Sequence, residues 1–155
     1  MNQLFLVRGL PGSGKTTWVR KQLEMLRGKA PAYHYEADMW FSGIDGRYNF
    51  DPTKLSLAHE WVRTEVHKTL QAAAGGSAYV FVSNTSTTWK EIAPLMQLVP
   101  HGTLITVVDM LAQFESIHDV PPLTIQRMRN RWEPGVSIIS RLSRMGHITR
   151  LTRCE

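Results

Sequence analysis

The residues that most restrict the possible fold are Gly-Leu-Pro-Gly-Ser-Gly-Lys-Thr at positions 9–16. They match the pattern G-x-x-x-x-G-K-[ST] at every fixed position. The apolar residues 4–7 before them predict a strand buried on both faces, and residues 16–26 have the periodicity of a helix. A strand, a glycine-rich loop and a helix in this order predict a P-loop, whose backbone N–H groups and helix N-terminus bind phosphate.

The chemistry of this loop predicts a bound nucleoside triphosphate, which we expect to be ATP with Mg²⁺. Lys15 is expected to place its charge between the β- and γ-phosphates, and the Thr16 hydroxyl to ligate the metal. The residues predicted to bind the nucleotide are Gly12, Ser13, Gly14, Lys15, Thr16 and Thr17.

Length and composition indicate one ordinary globular domain. The chain has 155 residues, of which 43% are hydrophobic and 20% charged. No apolar run approaches the roughly 18 residues that span a bilayer, and residues 1–7 lack the layout of a signal peptide. The single cysteine, Cys154, cannot form an internal disulfide, and we expect no structural role for it. These features predict a cytoplasmic protein without a membrane segment.

Short apolar runs alternate with longer runs of helical periodicity, which predicts an α/β domain with a parallel sheet of four or five strands flanked by helices. The predicted strands are residues 4–7, 32–37, 78–82 and 103–108; the predicted helices are residues 16–26, 52–73, 88–98 and 123–132. Residues 134–155 are interpreted as a basic C-terminal extension of this single domain, residues 1–155. Within it, residues 136–144 could form a helix and residues 147–151 an edge strand.

The positive charge is concentrated near the C-terminus. The net charge is +5, and residues 127–153 contain seven arginines against one acid, Glu133. Such a region favours a polyanionic partner, DNA or RNA, although a generic basic surface would give the same charge. The arginines are Arg127, Arg129, Arg131, Arg141, Arg144, Arg150 and Arg153.

In an open α/β sheet, ligands bind outside the carboxyl ends of the strands, where Asp38, Asn84 and Asp109 are predicted to lie. Asp38 could accept the proton of an attacking hydroxyl or hold Mg²⁺ through water. It could instead cap the helical turn at residues 39–41.

The third predicted strand ends without an acid. Many P-loop proteins carry an aspartate there, but residues 83–85 are Ser-Asn-Thr. Either Thr16 and the phosphates hold the metal, or Asp38 contributes more than usual. The next polar residues also fit a helix N-cap, with Thr87 or Thr88 and Glu91 as a capping box.

Several histidines and aromatic residues allow a structural and a functional interpretation. His59, Arg63 and His67 recur every four residues, which favours a solvated helix face over a metal site. Trp61 lies on the apolar stripe and is assigned to the core. The aromatic residues that could stack on bases, or pack in the core, are Trp40, Phe41, Tyr48, Trp89 and Trp132.

Residues 4–18, LFLVRGLPGSGKTTW, resemble the start of the P-loop polynucleotide kinase family known from T-even phages. The matching pieces that follow in order are Asp38, residues 46–52, residues 58–61, residues 83–89 and residues 118–131. The resemblance covers residues 3–133 and implies a P-loop NTPase/kinase fold with a helical lid. It also implies transfer of the γ-phosphate of ATP to a 5′-hydroxyl of nucleic acid, with Lys15 and Thr16 holding phosphate and metal and Asp38 as general base.

The chain departs from this family at two places. Phe41 stands where the family has a substrate-binding arginine, and Gln113, Phe114 and Glu115 stand where lid arginines are expected. Losing a transition-state arginine can cost about a thousandfold in rate. Arg127 and Arg131, one helical turn apart, are the predicted replacements, although an arginine of residues 134–155 could serve instead, or the two could lie on a solvated face. The role of His118, near the expected lid, is left open.

The leading hypothesis is therefore a kinase of nucleic-acid hydroxyls, above all a 5′-OH polynucleotide kinase using ATP and Mg²⁺. Three alternatives remain: a kinase of hydroxymethylated bases in phage DNA, a nucleoside or nucleotide kinase, and an ATP-binding regulatory protein with a degraded lid.

Overall fold

The computed structural model describes residues 1–43, 46–114 and 120–155. They form a five-stranded sheet with the order β2-β3-β1-β4-β5, in which every neighbouring pair is parallel. The strands are β1 Gln3–Arg8, β2 Ala32–Tyr35, β3 Tyr79–Asn84, β4 Leu104–Met110 and β5 Ile148–Cys154. The prediction of a parallel α/β sheet with four or five strands is confirmed, and the observed number of strands is five.

Helices cover both faces of this sheet. They are α1 Lys15–Leu26, α2 Ala37–Ser42, α3 Leu55–Ala72, α4 Trp89–Met96, α5 Pro122–Arg131 and α6 Gly135–Arg144, and a 3-10 turn, Pro52–Lys54, precedes α3. In the described ranges, none of these helices combines the length and the apolar character needed to cross a bilayer.

Alternate residues of the strands feed two hydrophobic clusters, as the two-residue period of a strand requires. Leu4 and Leu6 of β1 belong to the larger cluster, which includes buried residues of α3, α4 and α6. Val7 points into the smaller cluster, with Val19 of α1 and Phe81 of β3. The sheet is therefore buried on both sides, which explains the continuous apolar runs of its central strands.

Residues 134–155 are an integral part of the sheet. Ile138 and Leu142 of α6 are fully buried in the larger cluster, and β5 pairs with β4 over its whole length. Cys154, at the end of β5, packs against the smaller cluster, so the expectation that it has no structural role is wrong. The helix allowed for residues 136–144 and the edge strand allowed for residues 147–151 are both present, as α6 and β5.

Several strand boundaries differ from the predicted ones, and two of the differences move acidic residues. β2 ends at Tyr35, because Ala37 already begins α2. β4 continues to Met110, so Asp109 lies inside a fully buried strand rather than beyond it. Both differences change which acidic side chains reach the edge of the sheet.

Arg8, the last residue of β1, is fully buried where β1 and β4 lead into their loops. Its guanidinium also lies 4.2 Å from the centre of the Trp132 ring. Its hydrogen-bond acceptors are the Asp109 carboxylate at 2.8 Å and the carbonyls of Ser86 at 2.8 Å, Thr87 at 3.3 Å and Glu133 at 2.6 Å. Burial lowers the pKa of Arg8 and raises the pKa of Asp109, and the attraction between the two opposes both shifts.

We predict that Asp109→Asn lowers the free energy of unfolding by about 3–5 kcal/mol, because it leaves a buried guanidinium without its counter-charge. Urea unfolding measures the change. The matched control is Glu24→Gln, which breaks the exposed pair between Glu24 and Arg27 and should cost less than about 1 kcal/mol. Equal effects of the two substitutions would show that the three carbonyl acceptors suffice for Arg8.

Candidate active site

The P-loop lies at the carboxyl edge of the sheet, where the strand order changes direction. β1 has β3 on one side and β4 on the other, and the loop joins β1 to α1. This is the switch point at which open α/β sheets bind ligands. A cavity of about 1100 Å³ opens there, larger than the roughly 300–1000 Å³ of a typical small-molecule site. The predicted site residues that line it are Gly12, Ser13, Gly14, Lys15, Thr16, Thr17 and Asp38.

The backbone of the loop has the curvature of a phosphate cradle. Gly12 has φ +83° and Gly14 has φ +87°, in the left-handed region. A Cβ on Gly12 would also lie 2.6 Å from the carbonyl oxygen of Phe114. Glycine is therefore required at position 12 both by conformation and by the close approach of another segment.

The ammonium of Lys15 is held against the loop. Its Nζ donates to the carbonyl oxygens of Gly9 at 2.8 Å and Leu10 at 3.1 Å. Burial lowers the pKa of Lys15 to about 8, while the negative charges of Glu36 and Asp38 act in the opposite direction. A buried ammonium of this kind gains most when an anion such as a phosphate enters the cavity.

The carboxylate closest to the loop hydroxyl belongs to Glu36, which the sequence motifs did not single out. Thr16 Oγ1 donates to Glu36 Oε2 at 3.0 Å, and Ser83 Oγ donates to the same oxygen at 2.8 Å. Glu36 lies inside the predicted strand 32–37, so nothing marked it as a loop residue. A signal was present: it is an acid two residues before Asp38 at the end of an apolar run.

Asp38 lies in the first turn of α2 and faces the same cavity. The residue at the N-cap position of α2 is Glu36, so the alternative that Asp38 caps this turn is wrong. The Tyr48 hydroxyl donates to Asp38 Oδ1 at 3.1 Å. Burial and the charge of Asp38 raise the pKa of Tyr48 to about 12, so this hydroxyl stays a hydrogen-bond donor at neutral pH.

The last residue of β3 stabilises the turn between β2 and α2. Asn84 Oδ1 accepts from the backbone N–H of Ala37 at 2.9 Å, and the next residue, Thr85, lines the cavity. Thr88 occupies the N-cap position of α4, but Glu91 bonds to the backbone N–H and hydroxyl of Thr87. The polar run after β3 is thus divided between the site and the start of α4.

Neither Arg127 nor Arg131 is among the described residues that line the cavity. Arg131 Nε donates to Thr87 Oγ1 at 2.9 Å and lies 3.5 Å from Glu91 Oε1, which holds it against the start of α4. Arg127 is exposed on α5. The residues of α5 that do line the cavity are Thr124 and Met128. Arg127 is thus adjacent in sequence to the cavity wall, and Arg131 is tied to a different surface.

The residues at the expected lid-arginine positions contact the P-loop directly. The Phe114 backbone N–H donates to the Gly12 carbonyl at 2.6 Å, and Gln113 Nε2 donates to the Pro11 carbonyl at 2.9 Å. The Phe114 side chain remains 63% exposed and lines the cavity. Glu115 and His118 lie outside the described residues.

Phe41, at the position of the family's substrate-binding arginine, is buried in the core and cannot stack on a base. Its ring packs against Trp40 and Phe50. Tyr48 is the predicted stacking residue that lines the cavity, and Trp132 packs under Arg8. Trp40, Trp61 and Trp89 are partly buried against the larger cluster.

The predicted solvated face of α3 is partly buried. His59, Arg63 and His67 are each half-buried, and α3 packs against α2. His59 lines the cavity, and burial lowers its pKa. In residues 1–43, 46–114 and 120–155, no group of three or more metal-ligating side chains is present, so these histidines form no metal site there.

A family model described as "AAA domain" matches residues 4–132. The chain belongs to this family. Its members are P-loop kinase-like domains, which agrees with the strand order, the loop and the cavity described above.

Three solved structures illustrate the similarity. Kti12 of Chaetomium thermophilum in complex with ADP-AlF3 has a TM-score of 0.60 at 14% identity, over 97% of this chain and 87% of that one. The APS kinase CysC of Mycobacterium tuberculosis in complex with AMPPNP and APS has a TM-score of 0.52 at 20% identity, over 96% and 78%. A chain of the Pnkp1/Rnl/Hen1 complex has a TM-score of 0.55 at 17% identity, over 81% of this chain but only 38% of that one. At these identities the likeness shows the P-loop kinase-like fold.

We predict that the contribution of Lys15 to the free energy of unfolding of the nucleotide-free protein rises with pH between about 8, its pKa in the folded chain, and 10.5, its ordinary pKa. In this interval Lys15 keeps more of its proton in the unfolded chain than in the folded one, so its contribution favours folding as the pH rises. Tyr48, whose pKa burial raises to about 12, acts in the opposite direction. Below pH 8 the penalty of the buried ammonium is present in full.

Urea unfolding at intervals across this pH range, compared between wild type and Lys15→Met, isolates the contribution of Lys15. The rise should be smaller in Lys15→Met and unchanged in the control Lys29→Met, which alters an exposed lysine. Identical pH profiles for wild type and Lys15→Met would contradict the lowered pKa.

Proposed function

We propose that this protein is a kinase that transfers the γ-phosphate of ATP to a hydroxyl of nucleic acid, most simply a 5′-hydroxyl of DNA or RNA. The observation that carries the proposal is the shared cavity. Lys15 and Thr16 lie on one wall, and Asp38 faces the same space from α2. A donor-side phosphate cradle and an acceptor-side carboxylate in one cavity are the two halves of a phosphotransferase site.

The oxygen donors beside the loop fit a magnesium ion. The hydroxyl of Thr16 and the carboxylate of Glu36 are hard ligands of the kind Mg²⁺ prefers. When bound with ATP, the ion would neutralise charge on the β- and γ-phosphates. We assign nucleotide binding to residues 12–17 and metal binding to Thr16.

The chemical roles follow from the positions. Asp38 accepts the proton of the acceptor hydroxyl while the oxygen of that hydroxyl bonds to the γ-phosphorus. The bond between the γ-phosphorus and the bridging oxygen breaks, and ADP leaves with its electrons. Tyr48, which donates to Asp38, orients this carboxylate. Lys15 stays charged against the phosphates, since an anion beside it favours the ammonium form.

The nucleic-acid acceptor is supported by charge. All seven arginines of residues 127–153 are exposed on α5, α6 and β5, where they can neutralise backbone phosphates. A similar fold occurs in a chain of the Pnkp1/Rnl/Hen1 RNA repair complex, of which this chain covers 44%. We place the acceptor strand against α5, which borders the cavity through Thr124 and Met128.

The decisive experiment offers [γ-³²P]ATP with 5′-OH DNA and RNA oligonucleotides, hydroxymethylated DNA and free nucleosides as separate acceptors. Label on the 5′ ends supports the proposal. Label only on the modified bases or only on nucleosides would replace the acceptor by one of those alternatives. ATP binding without transfer to any acceptor would instead favour a regulatory ATP-binding protein, in which Gln113 and Phe114 have taken the place of catalytic arginines.

We predict that Asp38→Asn lowers kcat by about 10²–10⁴-fold, the usual contribution of a general base, and leaves ATP affinity nearly unchanged. Steady-state transfer assays and ATP titrations measure the two effects. Glu65→Gln is the control, since this acid pairs with Lys68 on the surface of α3. Wild-type turnover by Asp38→Asn would exclude Asp38 as the base.

Of the two predicted replacements for the lid arginines, we propose Arg127 as the one that reaches the transferred phosphoryl group. It lies three residues after Thr124 of the cavity wall and so on the same side of α5, whereas Arg131 is held by Thr87 and Glu91. Arg127→Ala should lower kcat by about a thousandfold, and the control Arg129→Ala, on the same exposed helix, should not. A loss of kcat in Arg131→Ala alone would reverse this assignment.

A further inference from the structure

Glu36 follows β2, which is two strands away from β1, and its carboxylate reaches the Thr16 hydroxyl of the P-loop. Tyr35 of β2 pairs with Val82 of β3, so Glu36 follows level with Ser83. Its Oε2 accepts from Thr16 Oγ1 at 3.0 Å and from Ser83 Oγ at 2.8 Å. The side chain is 17% exposed, and the residue lines the cavity.

In P-loop nucleotide hydrolases a strand-end aspartate shares the metal with the loop Ser or Thr. Here β3, the neighbour of β1, ends in Ser83 and Asn84, which carry no charge. Strands lie about 4.8 Å apart, so an acid on β2 must reach across β3 to meet the loop. A glutamate is one methylene longer than an aspartate. The hydroxyl of Ser83, on the strand between β2 and β1, donates a hydrogen bond to its carboxylate.

The direction of the hydrogen bond leaves Thr16 able to ligate. Its proton goes to Glu36, so the lone pairs of Oγ1 remain available to a cation. Glu36 Oε1 has no hydrogen-bond partner within residues 1–43, 46–114 and 120–155. An oxygen of this kind can accept hydrogen bonds from the water molecules that Mg²⁺ retains.

We infer that Glu36 is the positioning residue that replaces the strand-end aspartate: it orients the Thr16 hydroxyl and supplies the negative charge of the Mg²⁺ shell. Asn84 supports this arrangement, because it binds the backbone N–H of Ala37 and so fixes the turn that carries Glu36. The role of Asp38 is then that of the base alone. This inference rests on the proposed binding of ATP with Mg²⁺, but not on the identity of the acceptor.

The test measures how strongly the metal and the nucleotide favour each other's binding. The affinity of a fluorescent non-hydrolysable ATP analogue is determined in EDTA and at saturating Mg²⁺, and the ratio of the two dissociation constants is the coupling. Binding of Mn²⁺ to the protein–analogue complex, followed by electron paramagnetic resonance, gives a second readout that needs no turnover. The variants are Glu36→Gln and Glu36→Asp, with the exposed Glu24→Gln as control.

We expect Glu36→Gln to reduce the coupling and the Mn²⁺ affinity by about tenfold or more, the usual effect of losing an outer-shell partner of a metal. In EDTA its affinity for the analogue should be equal or higher, since a negative charge beside the triphosphate is gone. Glu36→Asp, which keeps the charge but is too short to reach Thr16, should also lose coupling. Glu24→Gln should behave as wild type.

Each other outcome counts against the inference. Unchanged coupling in Glu36→Gln would overturn it and leave the proposed kinase intact. Equal weakening of analogue binding with and without Mg²⁺ would show that Glu36 only supports the fold of the loop. A wild-type protein that binds no analogue would overturn the proposed function together with this inference. If Glu36→Gln loses coupling as expected but the wild-type protein phosphorylates no nucleic acid, the inference stands and nucleic acid is rejected as the acceptor.

Discussion

The guanidinium of Arg8 fixes the relative positions of the segments from which the site is built. It lies at the end of β1, immediately before the P-loop, and binds the Asp109 carboxylate of β4 together with the carbonyls of Ser86 and Glu133. Ser86 follows β3, and Glu133 follows α5, which lines the cavity through Thr124 and Met128. Because an unpaired charge in this environment is costly, the chain can bury Arg8 only in an arrangement that satisfies all of these bonds together. The residue that precedes the P-loop is therefore held in place by contacts within the protein, without a ligand.

Most of the fold was predictable because its signals are local. Continuous apolar runs mark the central strands, and the fixed glycines and Lys15 of the P-loop mark the turn between β1 and α1. Residues 134–155 are basic, with two arginines in β5 alone, so their pattern predicts a C-terminal extension that could contain a helix and an edge strand. Their place in the sheet depends on contacts of α6 with strands far away in sequence, which no local pattern contains.

The site was harder to predict than the fold, because its decisive contacts cross between elements. The P-loop residues and Asp38, which spacing and position after strands single out, line one cavity. Glu36 was missed, since its hydrogen bond to Thr16 depends on the gap between β2 and β3 and on the direction of the Thr16 hydroxyl. The burial of Phe41 explains why no arginine can stand there. The position of Arg131 was also not predictable, because this exposed arginine of α5 pairs with Glu91 of another helix.

The long reach of the Arg8 bonds has a consequence for the way the protein is made. Arg8 leaves the ribosome early in synthesis, but Glu133, which supplies its shortest hydrogen bond, follows 125 residues later. Contacts so distant along the chain slow folding, because the entropy of closing the loop is lost before they form. A nascent chain that ends before α5 has the complete P-loop motif but lacks Trp132 and Glu133, two of the residues that surround Arg8. The ATP that we propose as its ligand should therefore stabilise the finished chain far more than a truncated intermediate.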